Sequence, residues 1–287
     1  MKTTFCLFVL LFGLTSCSSK TKTVTETSVK AVYIQKDKEI FEQILQKFSA
    51  EKDASTAELM IKVGTCFIDT PYVAHTLEIE PEQLVINLRE LDCTTFAESV
   101  LAISRTVKSE NPSFEQFATE LQNLRYRNGI MDGYPSRIHY FSDWIFENNK
   151  RNLIKDVSDE IANIPYPFKV NFMSTHPASY VQLKDSTLIP AIAKQEREIS
   201  SRQMFYIPED KLAEFENLLQ DGDIAGITTN VKGLDISHVV ILQRVAGRMH
   251  ILHASQTANK VILSEETLEE YLKNSKSATG IMVARPQ

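Results

Sequence analysis

Cys93, His238 and His253 are the side chains of this chain whose types and surroundings could do chemistry together. A thiol, an imidazole and a third polar group, far apart in sequence but able to meet in a fold, are what a cysteine nucleophile needs. Cys93 stands in Leu91-Asp92-Cys93-Thr94-Thr95-Phe96-Ala97-Glu98, and Phe96, Val100, Ile103 and Val107 then mark one stripe of an amphipathic helix. The cysteine therefore falls in the first turn, where unpaired N–H groups and a partial positive charge favour thiolate over thiol. A neighbouring imidazolium would lower the thiol pKa further. Asp92 acts in both directions: as an N-cap it steadies the helix, while its charge opposes a thiolate.

His238 opens the apolar run Val239-Val240-Ile241-Leu242, where a polar ring costs free energy unless it has a partner or a role. Strand geometry selects its companion. Val245-Ala246-Gly247-Arg248 is the natural turn of an antiparallel hairpin. An even loop there puts His253 either opposite His238 or opposite Val240, one diagonal step away on the same face. His250 then points to the other face. An odd loop would shift the parity but leave His250 about four residues off the pair, roughly 13 Å along the strand. His253 is the expected orienting residue, and His250 a surface or sheet-backing one. His75 and His176 lie in polar, turn-like contexts and receive no role.

The elements that must position these groups follow from periodicity. Ile40, Phe41, Ile44, Leu45 and Phe48 predict a first helix, and Leu59 to Val63 a second that runs on toward Cys66. A short strand is expected over Leu84 to Leu88, and helices over Phe114 to Asn123, Phe141 to Glu147 and Val157 to Ile161. From Ile207 onward strands dominate: Val239 to Leu242, Met249 to Leu252, Val261 to Leu263 and Ile281 to Ala284, with a helix at Glu265 to Lys273. Helices first and an antiparallel sheet afterwards is an α+β plan.

The N-terminus bears on location. Lys2 precedes the run Phe5 to Leu14, apolar apart from Gly13, which has the length of a signal-peptide core and is too short to span a bilayer. It ends in Leu14-Thr15-Ser16-Cys17, which resembles a bacterial lipobox. That resemblance implies a signal peptide over residues 1–16 and lipid attachment at Cys17. Ser18 resembles the sorting position of lipoproteins sent to an outer membrane, facing the periplasm. Residues 18–30, rich in Ser, Thr and Lys, read as part of a flexible tether over 17–34. Cys6 leaves with the signal, so Cys66 and Cys93 are the cysteines of the body. Their pairing would disable thiol chemistry. Cys66, in the strand-like run Val63 to Ile68, reads best as a buried small hydrophobe. No Cys or His pair has the short spacing of a zinc site.

Hydrophobic residues make up 43% and charged residues 24% of the 287, ordinary proportions for a globular protein. A net charge of −6 with no basic stripe argues against nucleic acid as a partner.

Asp92-Cys93, His238-Val239-Val240-Ile241 and Ile251-Leu252-His253-Ala254-Ser255 together resemble the NlpC-type cell-wall hydrolases, a papain-like family that cuts amide bonds in peptidoglycan. Thr94-Thr95 stands where that family usually has Ser-Gly, and Val240 where it usually has Gly. More than a hundred residues separate Cys93 from His238, so the resemblance implies an insertion at about 108–230 within a domain over 35–287. Further segments resemble one branch, the N-acetylmuramoyl-L-alanine amidase-like lipoproteins of Bacteroides-like bacteria. They are Thr70-Pro71-Tyr72-Val73, Tyr134-Pro135-Ser136-Arg137-Ile138-His139-Tyr140, Asp143-Trp144, Asn171-Phe172-Met173-Ser174 and Gly233 to His238. The branch implies cleavage between a muramic acid lactyl group and L-alanine on anhydro-muropeptides, without metal or cofactor. The partners it implies are peptidoglycan fragments and, through the lipid, a membrane.

Arg137 could bind a carboxylate in bidentate fashion, and Tyr140 and Trp144 could stack on sugar rings, although Tyr140, Phe141 and Trp144 also suit the buried face of a helix. With His139, Tyr72 and Asp92 they complete the expected substrate-binding set. Two alternatives stay open: a γ-D-glutamyl-diamino acid endopeptidase of the same superfamily, and an inactive lipoprotein that binds muropeptides.

Overall fold

A computed structural model describes Met1 and residues 29–287 of the chain. The signal-peptide and lipobox readings, Cys17 included, lie outside the described residues. Ala31–Val32, at the end of the expected tether, is a short strand (β1) paired in parallel with Leu84–Val85 (β2). Helices α1 (Gln35–Phe48) and α2 (Thr56–Thr65) follow the predicted stripes. Cys66 is the C-cap of α2 rather than part of a strand, because the helical pattern of Leu59, Met60 and Val63 runs through to it. Helices α3 (Cys93–Lys108), α4 (Phe114–Arg125) and α5 (Phe141–Lys150) complete the N-terminal helical layer.

Eight strands form one antiparallel sheet. They are β3 (Ile154–Asp156), β4 (Ile164–Pro165), β5 (Phe205–Pro208), β6 (Ile224–Thr229), β7 (Ile236–Val245), β8 (Arg248–Ser255), β9 (Lys260–Thr267) and β10 (Ala278–Pro286). Their order is β4-β5-β10-β6-β7-β8-β9, with β3 also on β10. The expected α+β class is what the chain adopts. Alternation along the central strands feeds two cores. Val239, Ile241, Leu252 and Ala254 face α1 to α5, while Val240, Leu242 and Ile251 pack on the opposite side. There they meet Leu268 and Leu272 of a C-terminal helix (Leu268–Asn274).

That helix starts three residues later than its periodicity suggests. Thr267 still pairs with His250 in the sheet, and its side chain caps the helix in a reciprocal box with Glu270. Residues 108–230 hold α4, α5, the outer strands and a helix at Ile189–Ser200 that the sequence reading missed. They also build a small core of their own from Tyr134, Tyr140, Val170, Met173, Leu183, Ile192 and Ile199.

Candidate active site

Cys93 is the first residue of α3, as its stripe predicts. Asp92 caps the helix: its Oδ1 accepts from the Thr95 N–H at 2.8 Å and from the Thr95 hydroxyl at 2.9 Å. Oδ1 of Asp92 is thus engaged by its own helix, as the N-cap reading expects. Thr70 to Val73 docks alongside. Leu91 N–H donates to the Pro71 carbonyl at 3.0 Å and Val73 N–H to the Leu91 carbonyl at 3.1 Å, which holds Tyr72 beside Asp92 and Cys93. Burial, then the neighbouring Cys93 and Asp92 charges, push the Tyr72 phenol up to about 12, so it stays a hydrogen-bond donor.

The hairpin turns at Ala246-Gly247, both with positive φ (48° and 87°), the two-residue loop suited to strand twist. Val245 pairs with Arg248 and Ile241 with Leu252, so the register puts His253 beside Val240, diagonal to His238. The two rings meet nearly edge-on, with His238 Nε2 2.6 Å from His253 Nδ1. His253 is buried and His238 half-buried. His250 instead bonds the Ser264 carbonyl at 3.0 Å on the β9 side.

Cys93 faces the start of β7 and is a free thiol, as is Cys66. Burial is the largest influence on it and Asp92 the second; together they push the Cys93 thiol up to about 11. Backbone N–H groups of Val239 and Thr94, with the Thr94 hydroxyl 3.9 Å away, pull in the opposite direction and lose. The expectation of a resting thiolate is therefore corrected: desolvation outweighs the helix terminus. Burial also drives His238 down to about 4, and burial plus the His238 charge drive His253 down to about 3. At rest the thiol and both imidazoles are therefore neutral.

Tyr271, on the C-terminal helix, is a site residue the sequence reading missed. Its ring centroid lies 6.2 Å from that of His238 and 5.9 Å from that of His253. Burial, then the Cys93 charge, raise its phenol to about 12. A tyrosine on a short exposed-looking helix gives no signal in one sequence; only tertiary packing brings it here. The histidines and Tyr271 open on a cleft of about 860 Å³, whose other walls include Ser237, Lys260 and Glu266.

His238 and His253 line this cleft; Cys93, Tyr72 and Asp92 do not, and neither do the remaining four expected ligands. Arg137, 5% exposed, donates to Glu78 at 2.9 Å, lies 3.6 Å from Glu82 and covers the Tyr134 ring. His139 bonds the Tyr134 carbonyl at 3.0 Å with its ring on that of Tyr134. The Tyr140 hydroxyl donates to the buried Glu196 at 2.7 Å and accepts from Met173 N–H. Trp144 is 1% exposed and stacks on Phe141 at 4.8 Å. The polar groups of Arg137, His139 and Tyr140 are engaged by other side chains or backbone, and the Trp144 ring is covered, so these four support the fold around the site. Among the described residues, no group of three His, Cys, Asp or Glu converges to hold a metal ion, and no helix is long and apolar enough to cross a membrane.

Residues 62–281 match the family model of N-acetylmuramoyl-L-alanine amidase-like proteins. The chain belongs to that family. This amidase-like chain is 39% identical to an N-acetylmuramoyl-L-alanine amidase from Bacteroides uniformis, with a TM-score of 0.78 over 82% of this chain and 100% of that one. A Bacteroides fragilis protein, provisionally described as a xylanase, is 41% identical, with a TM-score of 0.75 over 78% of this chain and 99% of that one. A Legionella pneumophila protein, 21% identical, shares the fold, with a TM-score of 0.66 over 86% of this chain and 94% of its own. No curated protein sequence matches significantly. The family and its amidase neighbours support a peptidoglycan amidase-like hydrolase role for the chain.

Proposed function

We propose that this amidase-like protein uses Cys93 to hydrolyse the amide between N-acetylmuramic acid and L-alanine in peptidoglycan fragments, including those with anhydro-muramic ends. The observation that carries this is the His238–His253 hydrogen bond of 2.6 Å, on strands that pack against the helix Cys93 opens. With His238 Nε2–H donating to His253 Nδ1, Nδ1 of His238 is left without a proton and can accept one from the thiol. His253, kept neutral, accepts rather than competes, and steadies the imidazolium that forms.

The chemistry then balances in two steps. Sγ attacks the lactyl carbonyl carbon while His238 takes the thiol proton. The C–N bond breaks as His238 returns that proton to the alanine nitrogen, leaving a muramoyl thioester on Cys93. Water, activated by the same imidazole, hydrolyses the thioester and restores the thiol. The Cys93 N–H has no intrahelical acceptor, and with the Tyr72 hydroxyl it supplies two donors for the oxyanion. The order Asp-Cys helix, His strand, His strand supports the papain-like NlpC plan, with residues 108–230 as its insertion.

The lipobox-like Leu14 to Cys17 supports a lipid-anchored envelope protein. Wild-type protein should partition with membranes and Cys17→Ala should not; wild type found wholly in a soluble fraction would rule this out. For the chemistry, intact-mass spectrometry of acid-quenched turnover should show a muramoyl adduct on Cys93. Cys93→Ala should lose all turnover with its fold intact. Wild-type activity in Cys93→Ala would overturn the thiol mechanism.

A further inference from the structure

We propose that a second cavity, of about 650 Å³ beside the start of β7, is a subsite for an uncharged N-acetylated pyranose, the glycan end of the substrate. The proposal rests on the amidase reading and gives it a place to hold the sugar. Tyr166, Phe168 and Tyr206 line this cavity and are each only half-buried. Tyr166 stacks on Phe168 with centroids 4.9 Å apart and planes 11° apart, and meets Tyr206 at 4.8 Å with the planes tilted by 38°. A row of half-buried aromatic rings along a cavity offers the apolar surface that a pyranose packs on. No such row exists at Arg137, His139, Tyr140 and Trp144, whose rings are covered or internally bonded.

The rim supplies what hydroxyl and acetamido groups require. Asn230, Lys169 and Lys232 are exposed there, and neither lysine is in an ion pair among the described residues. Thr279 closes one side, its hydroxyl 2.7 Å from that of Thr228. The wall is also rigid. Tyr166 N–H donates to the Met204 carbonyl at 2.8 Å, and Asn171 and Phe172 N–H groups both donate to the Gly233 carbonyl at 3.0 Å. Gly233 has φ +83°, and a Cβ there would meet Asn171 Oδ1 at 2.2 Å, so the loop is closed tightly at that point.

The cavity is joined to the candidate catalytic groups by the same loop. The Tyr166 hydroxyl donates to the Asp235 carbonyl at 2.9 Å, three residues before His238, or about 10 Å of strand. Asn230 N–H donates to the Ser277 carbonyl at 2.9 Å, and Ser277 also lines the His238 cleft. A ligand bridging both cavities would hold its sugar on the rings, its reacting amide near His238 and its peptide toward Lys260 and Glu266. Sugar held there fixes the amide, so loss of the contact lowers kcat as well as affinity.

The test uses the full chain and the uncharged β-1,4-linked disaccharide of N-acetylglucosamine, titrated by NMR and calorimetry. Because this ligand has no scissile amide, binding is read without turnover. Phe168→Ala and Tyr206→Ala should each weaken it by about tenfold. Asn230→Ala and Lys232→Ala, at exposed loop positions where folding is not at stake, should weaken it by a smaller factor, and cellobiose should bind far more weakly. Disaccharide binding unchanged in all four variants, or cellobiose binding equally well, would overturn the subsite. Binding that follows the variants while muramoyl-alanine amides stay uncut would retain the subsite and sink the amidase reading instead.

Discussion

At Cys93 two opposing influences act on one sulfur, and their sizes decide the resting state. The helix N-terminus and nearby N–H groups favour a thiolate, but burial and the Asp92 charge hold the thiol up to about 11. Iodoacetamide labelling of the ligand-free protein should therefore climb with pH through the alkaline range. A plateau at neutral pH would mean a preformed thiolate–imidazolium pair. His238 and His253 are depressed to about 4 and about 3, so between the ordinary imidazole value of 6.5 and about 4 the unfolded chain binds protons that the native one does not. Stability should fall as pH drops through that window. A His238→Gln/His253→Gln variant should lose less Tm between pH 7 and 4.5 than wild type, and an identical loss would refute the assignment. His238→Ala should abolish activity, and His253→Ala should cost less because it removes only the orienter. The position of Cys93 and the pairing of the two histidines were legible in sequence, since stripe and strand parity are local. The charge state was not, because burial is a property of the whole fold.

Among the elements, α3 bears Cys93 and is held at both ends of its first two turns. Asp92 caps it, and Glu98 one turn on donates no slack: its carboxylate accepts from Arg125 of α4 at 2.8 Å, both side chains 3% exposed. Arg125 also donates to the Val85 carbonyl of β2 at 2.7 Å. Arg125→Ala leaves a buried carboxylate alone and should destabilise the protein by about 3–5 kcal/mol, whereas Asp92→Ala should cost about 1 kcal/mol. Equal, small losses in denaturant melts would show that the pair does not anchor the helix. Tyr271 belongs to the C-terminal helix and backs both imidazoles. Tyr271→Ala should lower kcat several-fold and broaden the histidine NMR signals, and Tyr271→Phe should restore both if ring packing is its role. Amphipathic α1, α3, α4 and α5 were readable from periodicity. The β6 strand was not, because all six of its residues are buried and no alternation survives.

For the molecule as a whole, the insertion places aromatic rings in two quite different settings. Tyr140 serves a small core of its own and Trp144 the main one, while Tyr166, Phe168 and Tyr206 line a cavity. Sequence pattern could not separate them, since both groups are aromatics of similar type, and only exposure distinguishes a covered ring from one facing a ligand. The central claim is that the chain cuts between sugar and alanine. It is tested most directly by mass spectrometry of two parallel digests: an anhydro-muramic disaccharide tripeptide and the same tripeptide without sugar. The account predicts a free tripeptide beginning with L-alanine and an intact disaccharide from the first, with the second left uncut. Cleavage of the free tripeptide after D-glutamate, with the sugar–alanine amide untouched, would contradict it.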